Sequence, residues 1–392
     1  MNLRKGVFNF LILACVCVFY SFDSAYAENY NTVEFPVIMY AVPASNQNFR
    51  EVKSLGVNHV HLYGLTAGRL TNKKLLEIKK YLDLAHHHKL KVLLDLDGKR
   101  RVASGRLEEM RVLVRRFRDH PAIAYWYLFD EPNKIVSADK LMPYYNMIKK
   151  ESPNIPIALC HLWSEKNWST YNQVQDAVLY DIYPVRGERF PYSKLDNQTE
   201  FTRLVNDSSN DKEVIPILQF FSWKSLKASS ISNLLKQHDY NDLRYPNYEE
   251  FRYLCFSSIA QGVDGLAFYS FLRAKMLDPS WIKNVASSVM REMVSFMSIV
   301  NNEKLKYSAI SDNKSDGYLL SSWVGEQENY IIMVNTTNQK KNITLKYKET
   351  FSSGNIETFG STRDVKIKAV SDNFVIENVN PWEVIVLKQK VN

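Results

Sequence analysis

The sequence predicts an α/β fold, a (β/α)8 TIM barrel followed by a small all-β sandwich domain. From Phe35 onwards, short apolar runs alternate eight times with stretches whose apolar residues recur at intervals of three and four. This is the pattern of eight βα units around a parallel sheet. After Asn302 the helical spacing is lost, and short alternating runs separated by turn-forming residues predict strands. The predicted boundaries are 28–302 for the barrel and 303–392 for the sandwich.

Residues 1–27 are predicted to be a signal peptide. Two basic residues precede an apolar run from Val7 to Tyr20, and an Ala-Tyr-Ala cleavage site ends at Ala27. Cleavage after Ala27 is favoured over lipoprotein processing at Cys15, because the apolar run continues beyond that cysteine. No later segment reaches the ~18 apolar residues of a membrane helix, so we expect no stable membrane insertion after cleavage. The prediction is a secreted or periplasmic protein.

The predicted barrel strands are apolar runs of five to eight residues at 35–42, 57–63, 92–96, 123–129, 155–160, 177–183, 214–221 and 265–271. Helical periodicity fills most of the intervals, as in the face formed by Leu75, Ile78 and Leu82. The fifth unit is the weakest, because only 168–175 is available for its helix. Asp278 and Pro279 are typical of a helix start, and they predict a long final helix that ends near Asn302.

The predicted sandwich strands lie at 317–324, 329–334, 342–347, 365–368, 374–376 and 382–387. Two cysteines remain after the signal peptide, Cys160 and Cys255, and each lies inside an apolar run. Buried thiols are therefore favoured over a disulfide or a metal pair.

Acidic and aromatic residues follow the predicted barrel strands. The carboxyl ends of barrel strands build the active site in this architecture. The residues at these ends are Tyr63, Asp95, Asp97, Asp130, Glu131, His161, Trp163, Asp181, Tyr183, Gln219, Trp223, Tyr269 and Arg273. The turns at the opposite end carry Gly56, Asn154 and Gly262 instead. This asymmetry predicts a carbohydrate cleft at one end of the barrel.

Hydrolysis of a glycosidic bond needs a protonated carboxyl group and a second group that stabilises or attacks the sugar centre. Glu131 is the predicted proton donor, since apolar neighbours and the adjacent Asp130 charge would raise its pKa. Asp181 is the favoured second carboxylate. Asp130 is the alternative, if the substrate supplies its own nucleophile. Neighbouring strand residues point to opposite faces unless the strand has broken, so Asp130 is also expected to fix the loop through backbone N–H groups or arginines.

Three motifs resemble clan A type glycoside hydrolases. They are Tyr-Leu-Phe-Asp-Glu-Pro-Asn ending at Asn133, Asp-Ile-Tyr-Pro ending at Pro184, and Gly-Val-Asp-Gly-Leu-Ala-Phe-Tyr-Ser-Phe ending at Phe271. The resemblance implies that Glu131 is the acid/base. That clan places its nucleophile on a glutamate at the end of strand 7, where this chain has Gln219. The Asp-Glu pair also resembles substrate-assisted hexosaminidases, which require an N-acetylated substrate.

The predicted substrate is an oligo- or polysaccharide. Five aromatic residues are predicted sugar platforms, namely Tyr63, Trp163, Tyr183, Trp223 and Tyr269. Gln219 and Arg273 are predicted to donate hydrogen bonds. Asp95 would touch the substrate or a cation, or else be a satisfied acid of the barrel rim.

No cofactor and no metal site are predicted. The run His86 to His88 is interpreted as a solvated helix end, and serine-hydrolase, zinc-protease and phosphate-loop motifs are absent from the sequence. The net charge of +8 is not concentrated in a basic tract, which disfavours nucleic acid as a partner. Two alternatives stay open. One is a carbohydrate-binding barrel that has lost catalysis, and the other is a cell-surface interaction protein that uses its sandwich.

Overall fold

The structure is a computed structural model that describes residues 35–163, 167–311, 316–346, 356–370 and 373–391. The predicted signal peptide, its cleavage site and Cys15 lie outside the described residues. Within the described ranges, no helix combines the length and the apolar character needed to cross a membrane.

Eight parallel strands close into a barrel, in which each strand pairs with its neighbours in the sequence. The ring is closed by the first and last strands, where Val37 pairs with Leu266. The strands are β1 Val37–Met39, β2 His59–Val60, β3 Lys91–Asp95, β4 Ile123–Asp130, β5 Ile157–Leu162, β6 Ala177–Asp181, β7 Glu213–Gln219 and β8 Leu266–Tyr269. The predicted fold class is confirmed.

The first two strands are much shorter than the apolar runs that predicted them. β1 has three residues and β2 has two. One cause is visible just after β1, where Ala41 has a φ of 57°. Left-handed backbone cannot continue a strand, so the chain leaves the sheet although its side chains stay apolar.

Helices cover the outside of the barrel. They are α1 Asn46–Ser54, α2 Asn72–His87, α3 Gly98–Ala103, α4 Leu107–Phe117, α5 Ala138–Glu151, α6 Asp196–Ser208, α7 Tyr248–Ala260, α8 Phe271–Leu277 and α9 Ser287–Asn302. The fifth unit has only a 3₁₀ helix, Trp168–Val174. The weak periodicity of that unit therefore corresponds to a real irregularity.

The start of the final helical stretch was predicted correctly. Asp278 Oδ1 accepts hydrogen bonds from the backbone N–H groups of Ser280 and Trp281, both at 3.1 Å. This cap opens a turn at Pro279–Trp281, which continues through the π-helical segment Ile282–Ala286 into α9. The side-chain oxygen satisfies N–H groups that have no partner inside the helix.

The residues after α9 form two antiparallel sheets. The strands are β9 Lys306–Ser311, β10 Tyr318–Val324, β11 Glu328–Asn335, β12 Lys341–Lys346, β13 Ile356–Thr358, β14 Ile367–Val370, β15 Asn373–Val379 and β16 Val384–Lys390. One sheet has the order β13-β16-β11-β10-β9 and the other β12-β15-β14. Sequence analysis missed β9 and β13. Both are edge strands, and β13 has only three residues, none of them buried, so no apolar alternation marks it.

Large aromatic side chains join the sandwich to the barrel. Phe296 of α9 packs against Trp323 of β10 at a centroid distance of 5.3 Å and against Tyr330 of β11 at 5.8 Å. The predicted buried thiols are confirmed, since Cys160 and Cys255 are both buried and free. Large exposed hydrophobic residues of the described sandwich are Tyr307, Val324 and Val391.

A buried ion pair also joins the two parts. The guanidinium of Arg252 on α7 contacts the carboxylate of Glu292 on α9 at 2.7 Å, with both side chains almost inaccessible. The same guanidinium donates to the Val384 carbonyl oxygen of β16 at 2.5 Å. The pair therefore ties the last two long helices of the barrel to the sandwich.

We expect Glu292→Gln to lower the free energy of unfolding by about 3–5 kcal/mol, because it leaves the Arg252 charge buried without its counter-ion. Urea denaturation would measure this change. The exposed Glu303 on the chain after α9 supplies the control, and Glu303→Gln should change stability by less than about 0.5 kcal/mol. Equal effects of the two variants would contradict a structural role for the buried pair.

Candidate active site

A cavity of about 450 Å³ opens at the carboxyl ends of the barrel strands, as the sequence predicted. We call it the acidic cavity. It is lined by Tyr63, Asp130, Glu131, Leu162, Trp163, Asp181, Tyr183, Arg186, Phe221, Trp223, Leu226 and Tyr269. Three carboxyl groups and five of the predicted aromatic residues therefore share one space.

A local break at the end of β4 brings two adjacent acids into this cavity. β4 ends at Asp130, and Glu131 adopts left-handed backbone with a φ of 55°. The backbone N–H of Glu131 donates to the Cys160 carbonyl oxygen at 2.7 Å, which holds the break against β5. Pro132 then starts a short 3₁₀ turn. Because the strand has already ended, the alternation of faces no longer separates the two side chains.

Asp130 is held by tyrosines. The Tyr127 hydroxyl donates to Asp130 Oδ1 at 2.5 Å, and the Tyr63 hydroxyl lies 3.5 Å from the same oxygen. The prediction that Asp130 fixes the loop through backbone N–H groups or arginines is wrong, since the hydroxyls of two aromatic residues take that place. Burial raises the pKa of Asp130, while the hydrogen bond from Tyr127 acts in the opposite direction.

Asp181 ends β6 and accepts a hydrogen bond of 2.8 Å from the Tyr183 hydroxyl. Burial raises the pKa of Asp181 well above its usual value, and the negative charges of Asp130 and Glu131 add to this effect. The pKa of Glu131 is also raised, first by burial and then by the Asp130 charge. The cavity therefore retains protons at a pH where isolated carboxyl groups would be ionised.

The titrations of the three acids are linked, because the charges of Asp130 and Glu131 raise the pKa of Asp181 and the charge of Asp130 raises the pKa of Glu131. At intermediate pH such a cluster contains both protonated and ionised carboxyl groups. It can therefore donate a proton to one atom of a bound molecule and present a negative charge to another.

The five predicted platforms all line the acidic cavity. Tyr183 and Tyr269 stack at a centroid distance of 5.8 Å with 27° between their planes. Tyr63 and Trp163 are 37% and 38% exposed, which leaves their rings accessible to a ligand. The indole N–H of Trp223 is buried and has no hydrogen-bond partner among the described residues.

Gln219 was predicted to bind substrate, but its side chain is fully buried and does not line the acidic cavity. Its amide accepts from the Val185 N–H at 2.9 Å, and donates to the carbonyl oxygens of Val185 at 2.8 Å and of Phe221 at 3.1 Å. All of these contacts are with backbone. The structure therefore corrects that prediction, because this amide joins the loops after β6 and β7.

Asp95 also lies behind the cavity wall. Its carboxylate accepts hydrogen bonds from the backbone N–H groups of Asp97 at 2.8 Å and Gly64 at 3.3 Å. Burial raises the pKa of Asp95 to about 6. Of the alternatives that the sequence left open for Asp95, these contacts support an acid of the barrel rim whose hydrogen bonds are satisfied within the protein. Asp95 holds the loop next to Tyr63.

Arg273 lines a second space of about 490 Å³, which shares Tyr63 and Tyr269 with the acidic cavity. Its guanidinium donates to the Tyr269 hydroxyl at 3.1 Å and to the Ser225 carbonyl oxygen at 2.7 Å. Two of its donors are thus committed to the protein, and it supports one platform.

Sequence analysis missed Arg186. This residue lines the acidic cavity from the loop after β6, two positions beyond the Asp-Ile-Tyr-Pro motif. Extending the search from the strand ends to the whole following loop would have found it. His161, which follows β5 in the same search, is fully buried and contacts Gln175 at 2.7 Å instead. Among the described residues, no group of three histidines, cysteines or acids could hold a metal ion.

No protein-family model matches this sequence, and no curated protein is similar enough to count as a relative. Solved structures do share the fold. One described as a glycoside hydrolase superposes with a TM-score of 0.61 at 12% identity, covering 90% of this chain and 92% of its own.

Two further structures extend the comparison. AmyP in complex with maltose gives a TM-score of 0.53 at 12% identity, covering 93% of this chain and 98% of its own. The family 30 subfamily 8 xylanase Xyn30A from Clostridium acetobutylicum gives 0.52 at 12% identity, covering 91% and 96%. The predicted resemblance to glycoside hydrolases is confirmed at the level of the fold.

Proposed function

We propose that this protein is an exported glycoside hydrolase that cleaves an O-glycosidic bond of an oligo- or polysaccharide. The observation that carries the proposal is the acidic cavity itself. Asp130, Glu131 and Asp181 share a space walled by aromatic rings at the carboxyl ends of a closed barrel. Carboxyl groups of raised pKa beside flat apolar surfaces suit a reaction that protonates a leaving oxygen of a sugar.

In this proposal Glu131 donates the proton to the leaving oxygen. It is only partly buried, so a substrate in the cavity can reach it. Asp181 is the second carboxylate and stabilises the positive charge that develops on the sugar ring. That role requires the ionised form. The hydrogen bond from Tyr183 favours ionisation, against the larger effects of burial and of the Asp130 and Glu131 charges, which raise the pKa of Asp181.

The end of β7 supplies no carboxylate. Gln219 stands there, and its amide is bound to backbone. The second acid must therefore come from β6 or β4. Asp130 becomes that acid if an N-acetyl group of the substrate provides the nucleophile, because a buried carboxylate can orient the amide.

Turnover of a glycan panel by the purified protein tests the proposal. We expect new reducing ends from at least one class of glycan, with loss of that product in Glu131→Gln. The alternative is a carbohydrate-binding barrel without catalysis, and the missing carboxylate at the end of β7 favours it. It would be supported instead by micromolar binding to a glycan that is never cleaved during prolonged incubation.

The pH profile gives a further prediction. Glu131 must be protonated to act as the acid, so activity should fall as the pH rises through its raised pKa. The Asp130 charge is one cause of that rise. Asp130→Asn removes this charge and should lower the pKa of Glu131. The alkaline limb of the residual activity should therefore move to lower pH in a profile of kcat/KM. An alkaline limb that stays in place or moves to higher pH would contradict the coupling.

A further inference from the structure

We propose that Arg186 and Lys194 form an anion-recognition subsite next to the acidic cavity, so that the substrate is a glycan bearing carboxylate or sulfate groups. This inference rests on the proposed hydrolase function and specifies its substrate class. Arg186 lines the acidic cavity and also a smaller space of about 150 Å³, which we call the side cavity. Lys194 and Asn197 line the same side cavity. Trp163 and Tyr183 are shared by both spaces, so one extended ligand can occupy them together.

The guanidinium of Arg186 has no ion pair and no hydrogen bond with any described residue. Two other arginines of this region differ. Arg244 pairs with Glu250 at 2.5 Å, and Arg273 donates to Tyr269 and Ser225. Arg186 is therefore a half-buried cation in the wall of the cavity whose five donors remain available to a ligand.

The backbone that carries Arg186 is held firmly. Gln219 binds both the N–H and the carbonyl oxygen of the preceding residue, Val185. The backbone N–H of Arg244 donates to the Arg186 carbonyl oxygen at 3.2 Å. A fixed backbone removes the cost of ordering the loop when a ligand binds, so that only the side-chain freedom of Arg186 is lost on binding.

The local charge also favours an anion. Two cations, Arg186 and Lys194, and one acid, Glu188, are among the residues that line the side cavity. Glu188 Oε1 lies 3.6 Å from His238 Nε2, and its buried Oε2 has no hydrogen-bond partner among the described residues. A guanidinium binds a carboxylate or a sulfate through two parallel hydrogen bonds, and this arrangement separates charged sugars from neutral ones.

The test compares two matched oligosaccharides, one with uronic acid units and one in which those carboxyl groups are reduced to primary alcohols. Native protein should prefer the acidic glycan. Arg186→Ala should lower kcat/KM for that glycan by about 10- to 100-fold, mainly through KM, and leave the reduced glycan almost unchanged. Arg189→Ala, at an exposed position of the same loop, is the control and should affect neither substrate. A sulfated neutral glycan run in parallel shows whether the anion is a carboxylate or a sulfate.

The inference is overturned if Arg186→Ala affects both glycans equally, or if native protein prefers the reduced glycan. Failure of the proposed hydrolase function is a separate outcome, in which neither glycan is cleaved. Calorimetric titration with the acidic glycan still tests the subsite in that case. Arg186→Ala should then weaken binding by a similar factor, and unchanged affinity would reject the role of Arg186.

Discussion

Glu131→Gln is expected to lower kcat by about 10²- to 10⁴-fold, with little change in KM. The amide keeps the shape of the side chain but has no acidic proton for the leaving oxygen. Sugar binding relies on the aromatic walls, which this change does not touch. Initial rates on a glycan cleaved by native protein would measure the effect. Because Glu131 is partly exposed, the variant should fold normally, and its circular dichroism and unfolding midpoint should match those of the native protein.

The control for this variant is Glu249→Gln, since Glu249 is exposed at the start of α7. Its kcat should equal that of the native protein. A Glu131→Gln variant that retains more than about a tenth of native kcat would remove Glu131 from the role of proton donor.

Asp181→Asn is the second large expected effect, with a loss in kcat again of about 10²- to 10⁴-fold. Asp181 is the more deeply placed carboxyl, and in our account it faces the positive charge that develops on the sugar. Its amide would still accept a hydrogen bond from the Tyr183 hydroxyl, so the local structure should persist. Kinetics on the same glycan, with folding checked in parallel, provide the measurement.

Comparison with Asp130→Asn separates the two possible second carboxylates. We expect the Asp181 variant to lose more activity, because two tyrosine hydroxyls, those of Tyr127 and Tyr63, engage Asp130, whereas Asp181 accepts from the Tyr183 hydroxyl. If Asp130→Asn is the more damaging change, and only N-acetylated glycans are cleaved, the substrate-assisted mechanism replaces the one proposed here.

The fold was predictable because the spacing of apolar residues along the chain reflects which side chains are buried. Parallel strands buried on both faces appear as continuous apolar runs, and eight of them imply closure. The site was predictable to the same extent, because barrel topology gathers the strand ends at one rim. That alone brought Glu131, Asp181 and Tyr183 together before any loop was known.

The side-chain positions that could not be predicted from the sequence depend on the path of the loops. Nothing in its residue type shows that Gln219 turns inward to bind backbone, or that Arg186 reaches the cavity from beyond the strand. The orientation of Glu131 depends on a single backbone angle after Asp130. Edge strands such as β13 bury too little to leave a pattern.

The most direct test of the central claim, that Glu131 is the proton donor, is the dependence of its variant on the leaving group. Glu131→Ala should be measured on one glycone attached either to a sugar or to a strongly acidic phenol. A phenol of low pKa leaves without protonation, so the variant should retain most of its kcat/KM on that substrate and lose at least about 10²-fold on the sugar. Equal losses on both substrates would contradict the account.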